Sequence, residues 1–162
     1  MPTTTGNFSS VELLGHEAAC RFDRIDTEIA NLIGERFAEV GLKRSHPITI
    51  VVQLNGAEVF HRALPGADQE QVSWIKRKAA VVNLTHHSTM YERVSAEETG
   101  TDWHKQHGVE DATHAIHGGG FPLVTKDGEY KGVVLVSGLP QVEDHMLAYE
   151  TLAALCHKLA QG

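Results

Sequence analysis

The stretch 114-HAIHGGGFPLVTKDGEYKGVVLVSGLPQVEDH-145 decides the fold. Asp127-Gly128 lies between two apolar runs and predicts a two-residue hairpin turn, because both turn positions favour a positive φ. The return strand, 130–137, contains an uninterrupted apolar run at 133–136. A strand that is apolar on both faces is covered on both sides, so we place it at the centre of a sheet. Counting outward from the turn gives three cross-strand pairs: Thr125–Tyr130, Leu123–Gly132 and Phe121–Val134.

A glycine triplet, Gly118-Gly119-Gly120, lies at the mouth of this hairpin. Glycine lacks a Cβ atom and allows a ligand or another chain to approach the backbone closely. We therefore predict that the functional site lies at this triplet.

Composition narrows the class of protein. The 162 residues predict a single domain, 1–162, with 1–8 as a flexible tail. The net charge of −7 argues against nucleic acid or an anionic membrane as the partner. No apolar run reaches the roughly 20 residues of a membrane span, and the first ten residues do not resemble a signal peptide. Cys20 and Cys156 lie far apart and are interpreted as reduced thiols, so we expect a cytoplasmic protein.

The first element is predicted to be one long helix. Ser9 and Glu12 form a capping box, and apolar residues then recur every three or four positions as far as Val40. Gly41 would end the helix. Because such a helix overhangs a small domain, its apolar stripe predicts a partner subunit.

A second hairpin is predicted at Asn55-Gly56, between strands 48–54 and 57–64. This turn would place His61 alone on an otherwise apolar face, where a histidine is more often a packed residue than a ligand. The predicted pairs are Leu54–Ala57, Val52–Val59, Ile50–His61 and Ile48–Ala63.

Helical periodicity returns over 68–90. Trp74 and Lys78 lie about 100° from the apolar stripe of this helix. Either Trp74, Arg77 and Lys78 form a solvated face, or they line a ligand pocket or a subunit contact. The stripe that we expect to face the sheet comprises Val72, Ile75, Ala79 and Val82.

The segment 91–113 has no clear period and is predicted to be a functional loop or lid in which Trp103 must pack. His104-x-x-His107 lies in it, and His114-x-x-His117 follows. The second pair lies in a strand pattern, where residues i and i+3 point to opposite faces. No third ligand completes either pair, so we predict no metal site.

The last helix is predicted at 140–160, with Pro140 at its first position. Glu143 and Asp144 complement the helix dipole, and they disfavour an anion at this helix start. Asp144-His145 is either a charge-tuned pair or part of the helix cap.

Three motifs in this order resemble the haem-degrading (GlcG/HbpS-like) family. They are Trp74-Ile75-x-Arg77-Lys78, Gly118-Gly119-Gly120-Phe121-Pro122 and Val136-Ser137-Gly138-Leu139-Pro140, the last followed by Asp144-His145. The chain is most similar to the branch of small proteins with the W-x-x-R-K signature, and the likeness runs from Val11 to Leu159. It departs from that branch at Leu84 and at His87-Ser88.

The resemblance implies a profilin-like α/β (α+β) sandwich, with an antiparallel five-stranded sheet flanked by helices, in a homo-oligomer. It also implies a small-molecule ligand or haem, in a pocket between helix 68–90 and loop 118–122 near a subunit interface. Two alternatives remain. One is an enzyme acting on haem or a small organic acid; the other is a non-catalytic oligomeric adaptor, because a eukaryotic branch of the family is linked to the handling of tail-anchored membrane proteins. No catalytic residue and no axial haem ligand can be assigned. The candidate ligand-binding residues are Trp74, Arg77, Lys78, His117, Gly118, Gly119, Gly120, Phe121, Pro122, Asp144 and His145.

Overall fold

The computed structural model describes residues 6–161. The elements in chain order are α1 (Ser10–Ala18), β1 (Arg21–Phe22), α2 (Thr27–Lys43), β2 (Thr49–Leu54), β3 (Ala57–Ala63), α3 (Glu70–Thr85), α4 (Thr89–Thr99), α5 (Trp103–His107), β4 (Gly120–Thr125), β5 (Tyr130–Ser137) and α6 (Gln141–Gln161). Within this range five strands form one sheet in the order β1-β4-β5-β2-β3. The pairings are antiparallel except that β1 runs parallel to β4. The predicted mixed α/β fold with a five-stranded sheet is confirmed.

Strand β5 lies at the centre of the sheet, as its apolar run predicts. The pairs Phe121–Val134 and Leu123–Gly132 are confirmed. The third predicted pair is wrong, because an irregularity after Leu123 places Val124, not Thr125, opposite Tyr130. A bulge of this kind adds one residue to one strand and shifts every pair beyond it.

A second bulge shifts the register of the other hairpin away from the predicted one. The pair Leu54–Ala57 is confirmed, but the irregularity between Val52 and Gln53 places Val52 opposite Phe60. The predicted partner of Ile50 was therefore wrong, and His61 lies opposite Val51. Its imidazole is exposed and contacts the Glu58 carboxylate at 3.1 Å rather than standing on an apolar face.

The predicted long first helix is wrong, because the chain leaves the helix after Ala18 and adds β1 to the edge of the sheet. Ser9 caps α1 as predicted, and Asp26 starts α2 by accepting a hydrogen bond from the Ile29 amide at 2.9 Å. Phe22 lies in strand β1 and its side chain is buried in the core. Its helical spacing from the neighbouring apolar residues was therefore misleading. Gly41 does not cap α2 but lies inside it, packed against Leu64 and Ile48.

Two layers of helix cover the sheet. Helices α2 and α6 bury one face around Phe37, Phe121 and Leu152. Helix α3 covers the other face through Ile75, Ala79 and Val82, as predicted. Val72, the fourth member of the predicted stripe, is instead 46% exposed. No helix within residues 6–161 is both long enough and apolar enough to cross a membrane.

The prediction of a loop over 91–113 is wrong, because most of this segment is helical. Ser88 caps α4 by accepting from the Tyr91 amide, and Asp102 caps α5 by accepting from the Lys105 amide. Gly100 and Gly108 end these helices with a φ of 66°, the left-handed conformation that glycine adopts at helix ends. Trp103 packs in its own chain, against Val81, Ala96 and their neighbours.

Part of the predicted flexible tail packs on the fold. Residues 1–5 of the predicted flexible tail lie outside the described residues. Phe8, at the end of that predicted tail, packs beside Leu13 and Met90. The described part of the tail is therefore attached to the fold.

Candidate functional site

A cleft of about 300 Å³ opens between the first half of α3, the segment before β4 and the turn from β5 into α6. Asp68 and Glu70 lie at the N-terminal end of α3, beside this cleft. The other lining residues are Gln71, Trp74, Lys78, His117, Gly118, Ser137, Gly138, Leu139, Gln141 and Asp144.

The cleft includes a buried ion pair. Lys78 Nζ lies 3.4 Å from Asp144 Oδ2, and the two side chains are 3% and 2% exposed. Lys78 Nζ also donates to the carbonyl oxygen of Val136 at 3.0 Å. The Leu139 amide donates to Asp144 Oδ1 at 3.1 Å. The pair therefore joins α3, β5 and the start of α6, and the prediction of a solvated face does not hold for Lys78.

Burial shifts the pKa values of both partners toward their neutral forms. It raises the pKa of Asp144 to about 7, although the Lys78 charge and the amide hydrogen bonds oppose the shift. It lowers the pKa of Lys78, and here Asp144 opposes the shift. Desolvation dominates because a charge removed from water costs several kcal/mol. The two shifts bring the proton affinities of the Lys78 amine and the Asp144 carboxylate closer together.

The glycine triplet is required by close contacts within this chain. A Cβ atom on Gly118 would lie 2.2 Å from the Gln141 carbonyl oxygen. One on Gly119 would lie 2.3 Å from the Val136 carbonyl oxygen and 2.8 Å from Lys78 Nζ. Sequence reasoning expected a ligand or a second chain to make this close approach. The structure instead shows α3, β5 and α6 of the same chain there.

Trp74 forms an aromatic wall of the cleft. Its ring meets the His117 ring edge-on, with the centroids 4.7 Å apart. The Arg77 guanidinium lies 4.5 Å from the centre of the same ring and forms two hydrogen bonds to Asp111, at 2.7 and 2.8 Å. Arg77 thus stacks on the wall and ties α3 to the segment before β4. Burial, together with the nearby charges of Arg93 and other cations, lowers the pKa of His117, so its imidazole is neutral at pH 7.

Several candidate residues lie elsewhere. Phe121 is fully buried against the opposite face of the sheet, and Pro122 is buried opposite Val133. His145 does not share the cleft with Asp144, because consecutive helix residues point about 100° apart. Its Nε2 atom lies 3.1 Å from Nδ1 of His16, and burial lowers its pKa to about 3. A charged Asp144–His145 pair is therefore not formed.

Sequence reasoning missed several residues of the cleft. Gln71 holds the β2 end of the site, since its side chain contacts Thr49 Oγ1 at 2.8 Å and the Pro47 carbonyl oxygen at 2.9 Å. Gly138 has a φ of 139° beside that same carbonyl. Gly138 belongs to the Ser137–Pro140 motif, which could have marked it as part of the site. No motif or periodicity in the sequence marks Gln71.

The histidine-rich segment forms a separate cluster. The rings of His104, His107 and His114 surround Trp103 with centroid distances of 5.0, 4.3 and 6.5 Å. Within residues 6–161 no group of three or more His, Cys, Asp or Glu side chains is placed to hold a metal ion.

Comparison with known proteins identifies the family. The model of a family described as haem-degrading protein HbpS-like matches residues 25–153. A UPF0303 protein of Azotobacter vinelandii is 36% identical over 139 residues, which cover 86% of this chain and 84% of the relative. Two solved structures share the fold. Ybr137w has a TM-score of 0.84 at 23% identity, with 92% of this chain and 88% of that chain covered. The PduOC:Heme complex has a TM-score of 0.68 at 18% identity, with 80% and 94% covered. The resemblance read from the W-x-x-R-K and glycine motifs is confirmed, and the chain belongs to the haem-degrading HbpS-like family.

Proposed function

We propose that this chain is a small-molecule-binding protein of the HbpS-like family, with its ligand in the cleft between α3, Gly118 and the turn from β5 into α6. The observation that carries the proposal is the Lys78–Asp144 pair lining that cleft. Removing two charges from water is costly, and ionisable groups with shifted pKa values cluster at functional sites. We place the protein in the cytoplasm, where the free thiols Cys20 and Cys156 would stay reduced.

The lining of the cleft favours a ligand with an apolar part and a polar end. Trp74 and Leu139 offer apolar surface, and Gln71, Ser137 and Gln141 offer hydrogen-bonding groups. Pockets for small ligands usually combine an apolar lining with a few polar groups that orient the ligand.

Haem is the ligand that the family suggests, and this cleft fits it only in part. His117 lines the cleft with a neutral imidazole, the form that binds iron. However, about 300 Å³ is the lower limit for ligand pockets, and the carboxylates of Asp68, Glu70 and Asp144 in the lining would disfavour the propionates of haem. One chain does not enclose haem here, so haem binding would need a second protomer to cover the cleft.

We further propose a homo-oligomer. The overhanging first helix that suggested a partner subunit does not exist, since α1 and α2 are separate helices. Exposed apolar side chains support the proposal instead: Val11 and Leu14 on α1 are 78% and 39% exposed, and Val72 on α3, two residues before Trp74, is 46% exposed. Each such side chain is worth on the order of 2 kcal/mol when buried.

A haemin titration tests the ligand and the site together. We expect a shift of the Soret band that His117→Ala abolishes and His114→Ala leaves intact, because His114 belongs to the Trp103 cluster. If haemin does not bind, a thermal-shift screen of small organic compounds should find a stabilising ligand whose effect Trp74→Ala removes. Loss of the Soret band after addition of a reductant would indicate haem degradation instead.

Two outcomes would contradict the proposal. Haemin or screen ligands whose binding ignores both His117 and Trp74 would place the ligand site elsewhere. Absence of any ligand would favour the adaptor alternative. Sedimentation of the wild type and of Val11→Asp tests the homo-oligomer, which the variant should weaken. A monomeric wild type would contradict the proposed second protomer.

A further inference from the structure

The amine of Lys78 is placed at the cleft with the neighbours that a nucleophilic lysine requires. Its Nζ atom has two hydrogen-bond acceptors, the Val136 carbonyl oxygen at 3.0 Å and Asp144 Oδ2 at 3.4 Å. An amine has room for a third partner. Lys78 is one of the residues that line the cleft, so a ligand there lies beside this side chain.

We propose that the cleft captures a small neutral aldehyde or ketone as a Schiff base on Lys78, with Asp144 transferring the protons. The proposal rests on the cleft being a ligand site and names the substrate class for it. Lysines held away from water, where the neutral amine is favoured, are the ones that form Schiff bases with carbonyl substrates.

Asp144 supplies the acid and base for this chemistry. Imine formation needs an unprotonated amine and a nearby acid at the same time. Proton transfer from the Lys78 ammonium to the Asp144 carboxylate creates both groups at once across 3.4 Å. Burial favours that transfer, since it lowers the pKa of Lys78 and raises the pKa of Asp144 to about 7.

The step balances without an oxidant or a reductant. The Lys78 nitrogen adds its electron pair to the carbonyl carbon, and the carbonyl oxygen takes the proton of the Asp144 carboxylic acid. The resulting ammonium returns one proton to the Asp144 carboxylate. The hydroxyl then leaves as water with that proton, while the nitrogen electron pair forms the C=N bond. The products are a protonated imine, a carboxylate and one water molecule.

The surroundings of Lys78 select the carbonyl compound. Asp68 and Glu70 at one end of the cleft, together with Asp144, disfavour a substrate that carries its own carboxylate. Trp74 and Leu139 accept an apolar substituent, and the volume of about 300 Å³ limits its size. A short neutral aldehyde therefore fits better than a 2-oxo acid.

Reductive trapping tests the inference on the full chain. Propionaldehyde and borohydride are added at neutral pH, and the labelled lysines are identified by peptide mass spectrometry. We expect Lys78 to be labelled at least tenfold faster than Lys76, the exposed lysine on the same helix. Glyoxylate should label Lys78 more slowly than propionaldehyde. Asp144→Asn should slow the labelling of Lys78 at least tenfold and leave Lys76 unchanged.

The outcomes separate a reactive lysine from a structural one. Labelling of Lys78 no faster than that of Lys76 in the wild type would overturn the inference, whether or not the Asp144 variant folds. Faster labelling by glyoxylate would overturn the choice of a neutral substrate. Haemin binding that depends on His117, with Lys78 unlabelled, would retain the cleft as a ligand site and overturn the imine alone.

Discussion

Gly119→Ala probes the contact on which the geometry of the cleft depends. Gly119 has a φ of 127°, a conformation that costs an L-residue about 1–3 kcal/mol. The added methyl group would also lie 2.3 Å from the Val136 carbonyl oxygen, which belongs to the backbone of the central strand and accepts from Lys78. Overpacking of this kind costs typically about 1–3 kcal/mol. Together the two effects should remove about 2–6 kcal/mol, a large part of the stability of an ordinary domain.

Urea unfolding followed by tryptophan fluorescence measures this loss, with Gly128→Ala as the matched control. Gly128 has a φ of 85°, but no described atom outside its own neighbours lies within 4 Å of its Cβ position. The control therefore carries the backbone strain without the overlap. Gly119→Ala should be less stable than Gly128→Ala by about 1–3 kcal/mol. If both variants lose the same unfolding free energy, β5 and Lys78 move aside for the methyl group without a measurable penalty. That result would refute the reasoning about the triplet.

Three further predictions concern charge and packing. The pKa of Asp144 in the folded protein is about 7, above its ordinary value of 3.8. Its contribution to stability is therefore full below pH 3.8 and is lost as the pH rises to 7. Asp144→Asn should flatten this part of a plot of unfolding free energy in urea against pH. A hydrogen bond to Glu17 raises the pKa of His87, so an NMR titration should show His87 protonated above its ordinary range, and Glu17→Gln should reverse the shift. The stability from this half-exposed pair, below about 1 kcal/mol, should be full below pH 6.5 and disappear as the pH passes the raised pKa. Gly15→Ala should stabilise α1 by about 1 kcal/mol in thermal unfolding, because alanine favours a helix and no described atom outside its own neighbours and helix backbone lies within 4 Å of the added methyl group. Gly34→Ala should destabilise the fold, because its methyl group would lie 2.3 Å from the ring of Phe60.

The errors made from the sequence each have a physical cause. The apolar spacing from Val11 to Val40 is helical throughout, yet Phe22 is buried from a strand because β4 offers it an edge to pair with. The two bulges shift pairs that turn chemistry alone had aligned. Helix α4 was missed because its buried side chains are few, although Ser88 and Gly100 mark both of its ends. For Phe22 a contact from elsewhere in the chain prevailed over a local pattern, whereas for α4 the local caps were present and the apolar stripe was weak.

The sequence by itself determined the local elements of this protein. The turns at Asn55-Gly56 and Asp127-Gly128, the central strand and the last helix follow from residues that are adjacent or a few positions apart, because turn chemistry and periodicity act over that range. Only the tertiary structure decided which residues line the cleft. For Lys78 the sequence left open a solvated face or a pocket lining, and the structure buries its side chain against Asp144. The structure also separates His145 from the cleft. The residues that meet there are 66 positions apart in the chain, and no periodic pattern encodes which charges fold together or how much water they lose.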